Sequence, residues 1–514
     1  MQIILRKQAK IIVTLISLLV TFQTIYGKLT LPNIIGDNMV LQQDSKVKIW
    51  GGSDPYKIIY IKASWLDNDI KTAANNEGKW ITDLKTPEAG GPYFISISNG
   101  NEKIDIVNVL IGEVWFCSGQ SNMEFPVGTT SKYWHTGVID YKKHTARADY
   151  PNVRLFTVAK KTSTAPLDTL GGHWDACTPL TVNDFSAVAY FFGRKLYMDL
   201  NIPIGLIHSS WGGTPAQSWT RRSYILGDTT YHSIFEKEAK VFKEYDPNAY
   251  QEYLKKTDEW KKGVADGTIT GKAAKRGPSE PWGPLHSKMP GVLYNGMVAP
   301  VMPYTIKGAI WYQGESNNDD PEVYASLFPA MIKNWRLDWK EGDFPFYYVQ
   351  IASQYRMKPE LREAQMETMN KVKNTGMAVT LDVGDSTDIH PRDKQPVGER
   401  LAYWALAKTY NKKGFEYSGP LYKKASVSGD KIIVSFDHVG KGLVAKDGQL
   451  KLFEIAGKDK QFVKADAVIK GKKIIVKSDD VKKPVYVRYA WSNYMIPDLF
   501  NKEGLPASSF RNKK

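Results

Sequence analysis

Ser121 is the residue around which chemistry could be built. It follows the apolar run Val-Leu-Ile-Gly-Glu-Val-Trp-Phe, which begins at Val109, and sits in the small polar stretch Cys-Ser-Gly-Gln-Ser-Asn at 117–122. An apolar run that stops abruptly in such residues reads as a strand emptying into a sharp turn. A serine there is carried on backbone, and if a helix follows, nearby N–H groups point where an oxyanion could form. The same composition also serves an ordinary turn or helix cap. Acyl transfer needs a base as well, and imidazole suits neutral pH. Of eight histidines, His390 stands apart: Asp388 lies two residues before it, Pro391 follows it, and Asp382 and Asp385 lie upstream in the same loop. A carboxylate so placed can hold one tautomer and stabilise the imidazolium. His208 ends an apolar strand and reads as structural, whereas His135, His144, His173, His232, His286 and His438 lack a comparable setting. For the developing oxyanion, the candidates are the backbone N–H groups at Ser121, Gly212 and Gly213 and a side-chain amide from Gln313 or Asn317.

These residues share a feature of order: each follows a candidate strand. Runs at Ile204–His208, Gly308–Tyr312, Tyr347–Ile351 and Ala378–Asp382 alternate with helical patterns such as Ala187–Leu200 and Pro396–Tyr410. Alternation of this kind predicts an α/β fold with a parallel sheet and helices on both faces, and ligands bind such sheets beyond the C-terminal strand ends. Residues 28–108 carry short alternating runs broken by Gly-Gly and Asn-Asn turns, the pattern of an N-terminal β-sandwich. Residues 109–411 hold the α/β core. An insertion over about 220–295, charged and helical from Tyr231 to Lys262, could form a lid or rim or merely decorate the surface. Residues 412–514 return to β-type alternation as a C-terminal β domain.

A chain of 514 residues with 42% hydrophobic content is long enough for two or three domains and is not of disordered type. Its 15 Trp, 28 Tyr and 19 Phe permit a carbohydrate partner without proving one. The net charge is +15, and Arg6, Lys7 and Lys10 contribute three of those charges. Scattered lysines without a basic, aromatic-interleaved stripe argue against nucleic acid. Residues 1–27 have a basic start, an apolar run from Ile11 to Phe22 and a small residue at Gly27, the plan of a cleavable export signal. A periplasmic or secreted protein with no membrane span after cleavage is therefore expected. Cys117 and Cys177 could pair in an oxidising compartment or stay as two buried thiols. No His-Glu-x-x-His or clustered His/Cys spacing calls for a metal, and no cofactor is expected.

Four ordered motifs, Ser-Gly-Gln-Ser-Asn-Met at 118–123, Ser-Ser-Trp-Gly-Gly-Thr at 209–214, Trp-Tyr-Gln-Gly-Glu-Ser-Asn at 311–317 and Asp-Ile-His-Pro at 388–391, together resemble the sialate O-acetylesterase family of the SGNH hydrolases. Leu31 to Gln43 resembles that family's opening. The resemblance implies a flavodoxin-like three-layer hydrolase domain, no metal, and removal of O-acetyl groups from sugars, with sialic acid or another acetylated glycan as substrate. It gives Ser121 the nucleophile's role, His390 the base's, and the backbone at Ser121 and Gly213 the oxyanion hole's. Thr387 stands where the wider superfamily carries Asp, so Asp388 is the choice for the acid, with Asp385 in reserve and a dyad aided by a carbonyl still open. Gln313 and Asn317 both remain candidates for the amide. An acetyl xylan esterase shares this chemistry, and an inactive glycan-binding module is the reading from another class. The oligomeric state is not legible.

Overall fold

The computed structural model describes residues 28–130 and 135–513. The expected export signal lies outside the described residues. At the centre is a sheet whose strands run, from one edge, Thr375–Ala378, Phe346–Val349, Gly308–Tyr312, Lys103–Gly119, Ile204–Ser210, Tyr150–Thr157 and Trp174–Cys177. All neighbours are parallel except the last pair. Parallel strands buried on both faces need continuous apolar runs, and Gly308–Tyr312 and Ile204–Ser210 are buried at every position. The strand Lys103–Gly119 lies between the two that arrive later in the chain, so the order reverses beside it. That reversal opens a crevice at its C-terminal end.

This strand is 17 residues long and does two jobs. Its first half alternates in burial and pairs antiparallel with Gly90–Ser98 and parallel with Val40–Gln42. Its second half is wholly buried and forms the middle of the α/β sheet. One strand thus runs straight through residue 108, and the N-terminal strands are hydrogen-bonded into the same eleven-stranded sheet. A second N-terminal pair, Lys46–Gly52 with Lys79–Lys85, lies apart from it.

Helices Ala187–Leu200, Pro321–Trp339, Pro359–Lys371 and Gln395–Trp404 flank the sheet. Trp115 packs edge-on against Phe192, with ring centroids 5.0 Å apart, and Trp311 meets Trp335 at 5.6 Å and 90°. Trp311 is fully buried, a core residue. Each such side chain contributes roughly 1.5–3 kcal/mol of burial, which makes the strand ends a rigid platform. The strand expected at Ala378–Asp382 is instead Thr375–Ala378, paired with Phe346–Val349. Val379 and Leu381 are buried in the loop that follows, so apolar content there reports burial without pairing. Cys117 and Cys177 are free and buried.

The insertion is helical at His232–Glu244 and Pro247–Ala265. C-terminal strands form two four-stranded sheets and a two-stranded one. Buried Arg362 ties this region to the α/β core, donating to Ser509 Oγ at 3.0 Å and to the Met357 and Asn493 carbonyls at 3.2 and 3.3 Å. Among the described residues no helix is long and apolar enough to cross a membrane.

Candidate active site

The serine end is shaped by backbone sterics. Gly119 has φ +147°, and a Cβ there would lie 2.1 Å from the Tyr312 carbonyl oxygen. Only glycine fits so close to the neighbouring strand. The Gln120 N–H donates to that same carbonyl at 3.0 Å, and Ser121 then opens a four-residue helical turn, Ser121–Glu124. The next strand end approaches closely as well. A Cβ on Gly212 would come 3.2 Å from Ser121 Cβ, and the Gly212 N–H is held by buried Glu124 Oε2 at 2.8 Å.

His390 reaches this turn from 269 residues further along the chain, and its Nε2 lies 2.8 Å from Ser121 Oγ. For Nε2 to accept the serine proton, the ring's own proton must sit on Nδ1. Asp388 Oδ1 is 3.4 Å from that Nδ1, but it already accepts the His390 backbone N–H at 2.8 Å, and Nδ1 has no hydrogen-bond partner among the described residues. Asp388 therefore braces the imidazole by charge and by holding the backbone, without closing a hydrogen bond to the ring. Asp385 does not reach the imidazole: it caps its own turn, accepting from the Thr387 and Asp388 N–H groups, and these bonds lower its carboxyl. Asp382 is bound in two-pronged fashion by Arg400 at 2.7 and 2.6 Å.

The amides of Gln313 and Asn317 are not brought to Ser121. Gln313 is wholly buried, and its Nε2 donates to Asn317 Oδ1 at 2.7 Å. That same Oδ1 accepts the Ala216 N–H at 2.9 Å, and Asn317 Nδ2 donates to Gln217 Oε1 at 3.1 Å. Together they hold up the Gly212–Gln217 turn from behind. Gln120 does face the pocket. Its Oε1 accepts the Ser316 N–H at 3.2 Å, which fixes the orientation of the amide, while its Nε2 has no acceptor among the described residues. The pocket, about 380 Å³, is lined by Gln120, Ser121, His135, Gly213, Glu315 and His390 among others.

Three features were not legible in sequence. His135 stacks on His390, with centroids 3.5 Å apart and planes at 25°. Beneath the site, Asn122 Nδ2 donates to Glu315 Oε1 at 2.5 Å and to the Ile389 carbonyl at 3.0 Å, and Asn122 Oδ1 accepts from Lys394 Nζ at 2.5 Å. The residue after the serine is thereby tied to the residue before the histidine. Burial raises the Glu315 carboxyl and pushes the Lys394 amine down to about 7. His390 is pushed down to about 3, first by burial, then by the His135 ring and the Lys394 charge, against the opposing pull of Asp388. It is thus a neutral acceptor throughout the physiological range. The +4 spacing from His390 to Lys394, across Pro391, was the one available signal, and it gives no direction in which a side chain must point.

His135, Asp388 and His390 are the described group whose ligand atoms all lie within 4.8 Å of one another. A divalent cation held by them would take up the imidazole that faces Ser121.

A family model and several known proteins match much of this chain. The family model described as carbohydrate esterase, sialic acid-specific acetylesterase matches residues 111–262 and 277–407. The sialate O-acetylesterase of Rattus norvegicus is 32% identical over 434 residues, spanning 76% of this chain and 75% of that protein. That of Homo sapiens is 30% identical over 82% of this chain and 79% of its own length. Among solved structures, a carbohydrate acetylesterase from Xanthomonas citri matches with a TM-score of 0.78 at 33% identity, over 95% of this chain and 100% of that one. With more than half its length matched by the family model and its serine and histidine side by side at the sheet's crevice, the chain belongs to the sialic acid-specific carbohydrate esterase family.

Proposed function

We propose that this protein removes O-acetyl groups from sialic acids by serine esterase chemistry. The observation that carries the reading is the 2.8 Å contact between Ser121 Oγ and His390 Nε2. In this mechanism neutral His390 takes the Ser121 proton as Oγ attacks the acetyl carbonyl, giving a tetrahedral oxyanion. The donors are the Ser121 N–H, which opens a helical turn and so has no intrahelical acceptor, the Gly213 N–H, and Gln120 Nε2. Gly213 has φ +73° and lines the pocket. Collapse of the intermediate releases the sugar as its oxygen takes the proton back from His390. Water then attacks the acetyl-enzyme by the same route, and acetate leaves. Asp388 stabilises the transient imidazolium across 3.4 Å.

We further propose that the protein is exported, which would place the enzyme with extracellular or periplasmic glycans. N-terminal sequencing of the protein recovered from an expressing cell tests it, and an intact Met1 removes it. For the chemistry, Ser121→Ala is expected to lower acetate release from an aryl acetate and from O-acetylated sialic acid by about 10³-fold or more, with the thermal transition retained. Activity within a few-fold of the unaltered protein would remove Ser121 from the mechanism.

A further inference from the structure

Beside the reaction pocket lies a second cavity of about 280 Å³, walled on one side by the insertion and on the other by the strand-end loops. Gly213 and Ser316 line both cavities, so the two adjoin at the edge nearest the serine. From the α/β side come Asn317 and Asp319, and from the insertion come Lys237, Trp282 and Lys288. The Trp282 ring is 52% exposed although it is large and apolar. His286 covers one of its faces, stacked at 4.2 Å, and fixes the ring. An indole held in this way is a flat platform of the kind that sugar rings pack on.

Two of the three carboxylates that line this cavity are committed. Glu238 is neutralised in place by Arg222, which grips it at 2.6–3.1 Å, and Asp320 caps the helix that begins at Pro321. Lys237 and Lys288 have no carboxylate within 4 Å among the described residues, and Lys288 Nζ lies 5.8 Å from the centroid of the Trp282 ring. Two ammonium groups without a carboxylate partner, beside an aromatic platform, fit a carboxylated sugar. The ammonium groups meet the acid, and Asp319 meets a hydroxyl.

We propose that this cavity is the subsite for the sugar that leaves, that it takes an acidic monosaccharide with its ring on Trp282 and its carboxylate between Lys237 and Lys288, and that the insertion is therefore the specificity element of the enzyme. This rests on the esterase reading above for the direction in which the acetyl group points. Without the insertion the α/β core would retain the serine, the histidine and the acetyl pocket, and would lack both lysines and the indole.

The test compares an O-acetylated sialic acid with its carboxyl methyl ester, which removes the charge and leaves the acetyl group and ring in place. The unaltered protein is expected to favour the acid by about ten-fold or more in kcat/KM, the value of a charge-assisted contact. In the double variant Lys237→Gln, Lys288→Gln that ratio is expected to fall towards one, and Trp282→Ala is expected to raise KM for both sugars. Calorimetric titration of the protein with unacetylated sialic acid reads the same site without catalysis, and its Kd should weaken in both variants by a similar factor. A ratio unchanged by the lysine substitutions, or sialic acid binding indifferent to them, overturns the proposal. If the unaltered protein releases no acetate from an aryl acetate, it is the esterase reading that fails, and the titration still decides the subsite.

Discussion

The two halves of the reaction centre are held by opposite means. On the serine side the restraint is backbone: a glycine at φ +147° against a neighbouring carbonyl, a Gln120 N–H on that same carbonyl, and buried strands on both flanks. On the histidine side the restraint is made of side chains. Asp385 and Asp388 shape a half-buried loop, Asn122 grips the Ile389 carbonyl, Lys394 fixes Asn122, and His135 lies flat on the imidazole. A backbone restraint cannot be tuned by small steps. A side-chain restraint can, and it sets the basicity of the group it holds along with its position.

The largest losses follow from breaking the serine side. Gly119→Ala forces a Cβ into the Tyr312 carbonyl and should cost roughly 3 kcal/mol or more of stability, together with most of the activity. Chemical denaturation and acetate release check both, and a well-folded, fully active variant would show that the turn has slack. Next in size is the acid. Asp388→Asn should lower kcat by about 10- to 100-fold, well short of the ~10⁴-fold loss when such an aspartate is hydrogen-bonded to its imidazole, because here the carboxylate acts across 3.4 Å without closing that bond.

Smaller effects should appear on the histidine side as movements along the pH axis. His390 is protonated only towards pH 3, so kcat/KM should stay flat as pH falls from 7 to 5, where an ordinary histidine base would already have lost activity. Lys394→Met removes a neighbouring positive charge and His135→Ala removes a covering ring. Either change raises the imidazole's affinity for protons, and the acidic limb should move to higher pH. A limb that stays in place in both variants would separate these residues from His390. A last prediction concerns the fold itself and not the rate. His208 and His286 are held down to about 3 and about 4 by burial, so they stay neutral in the fold while the unfolded chain takes up protons near 6.5. The stability present above pH 6.5 is then lost as pH falls towards 4, and Tm should decline over that window.

Most of the sheet was legible because its signal is local. Four buried runs end in Gly, Ser, Asn or Gln, and parallel strands read that way whatever surrounds them. Ser121 and Gly213 were picked out for the same reason, each just beyond a run that stops abruptly, and His390 by the Asp388 and Pro391 beside it. The strand placed three residues late, at Ala378–Asp382, shows the boundary of this reasoning: Val379 and Leu381 are buried as a loop against the core, and hydrophobicity does not distinguish a pairing partner from a plug.

The sequence by itself determined that a serine and a histidine would stand at the C-terminal edge of a parallel sheet, since strand periodicity and chain direction fix which ends meet. Tertiary structure alone decided what surrounds them. It turned Gln313 and Asn317 inward as supports, put the Gln120 amide in the pocket, laid His135 on His390, and ran one tie from Lys394 through Asn122 to Glu315. Those outcomes depend on side-chain directions across more than a hundred residues of separation. The energy that selects them is the cost of leaving a buried polar group without a partner, which only the assembled interior can assess.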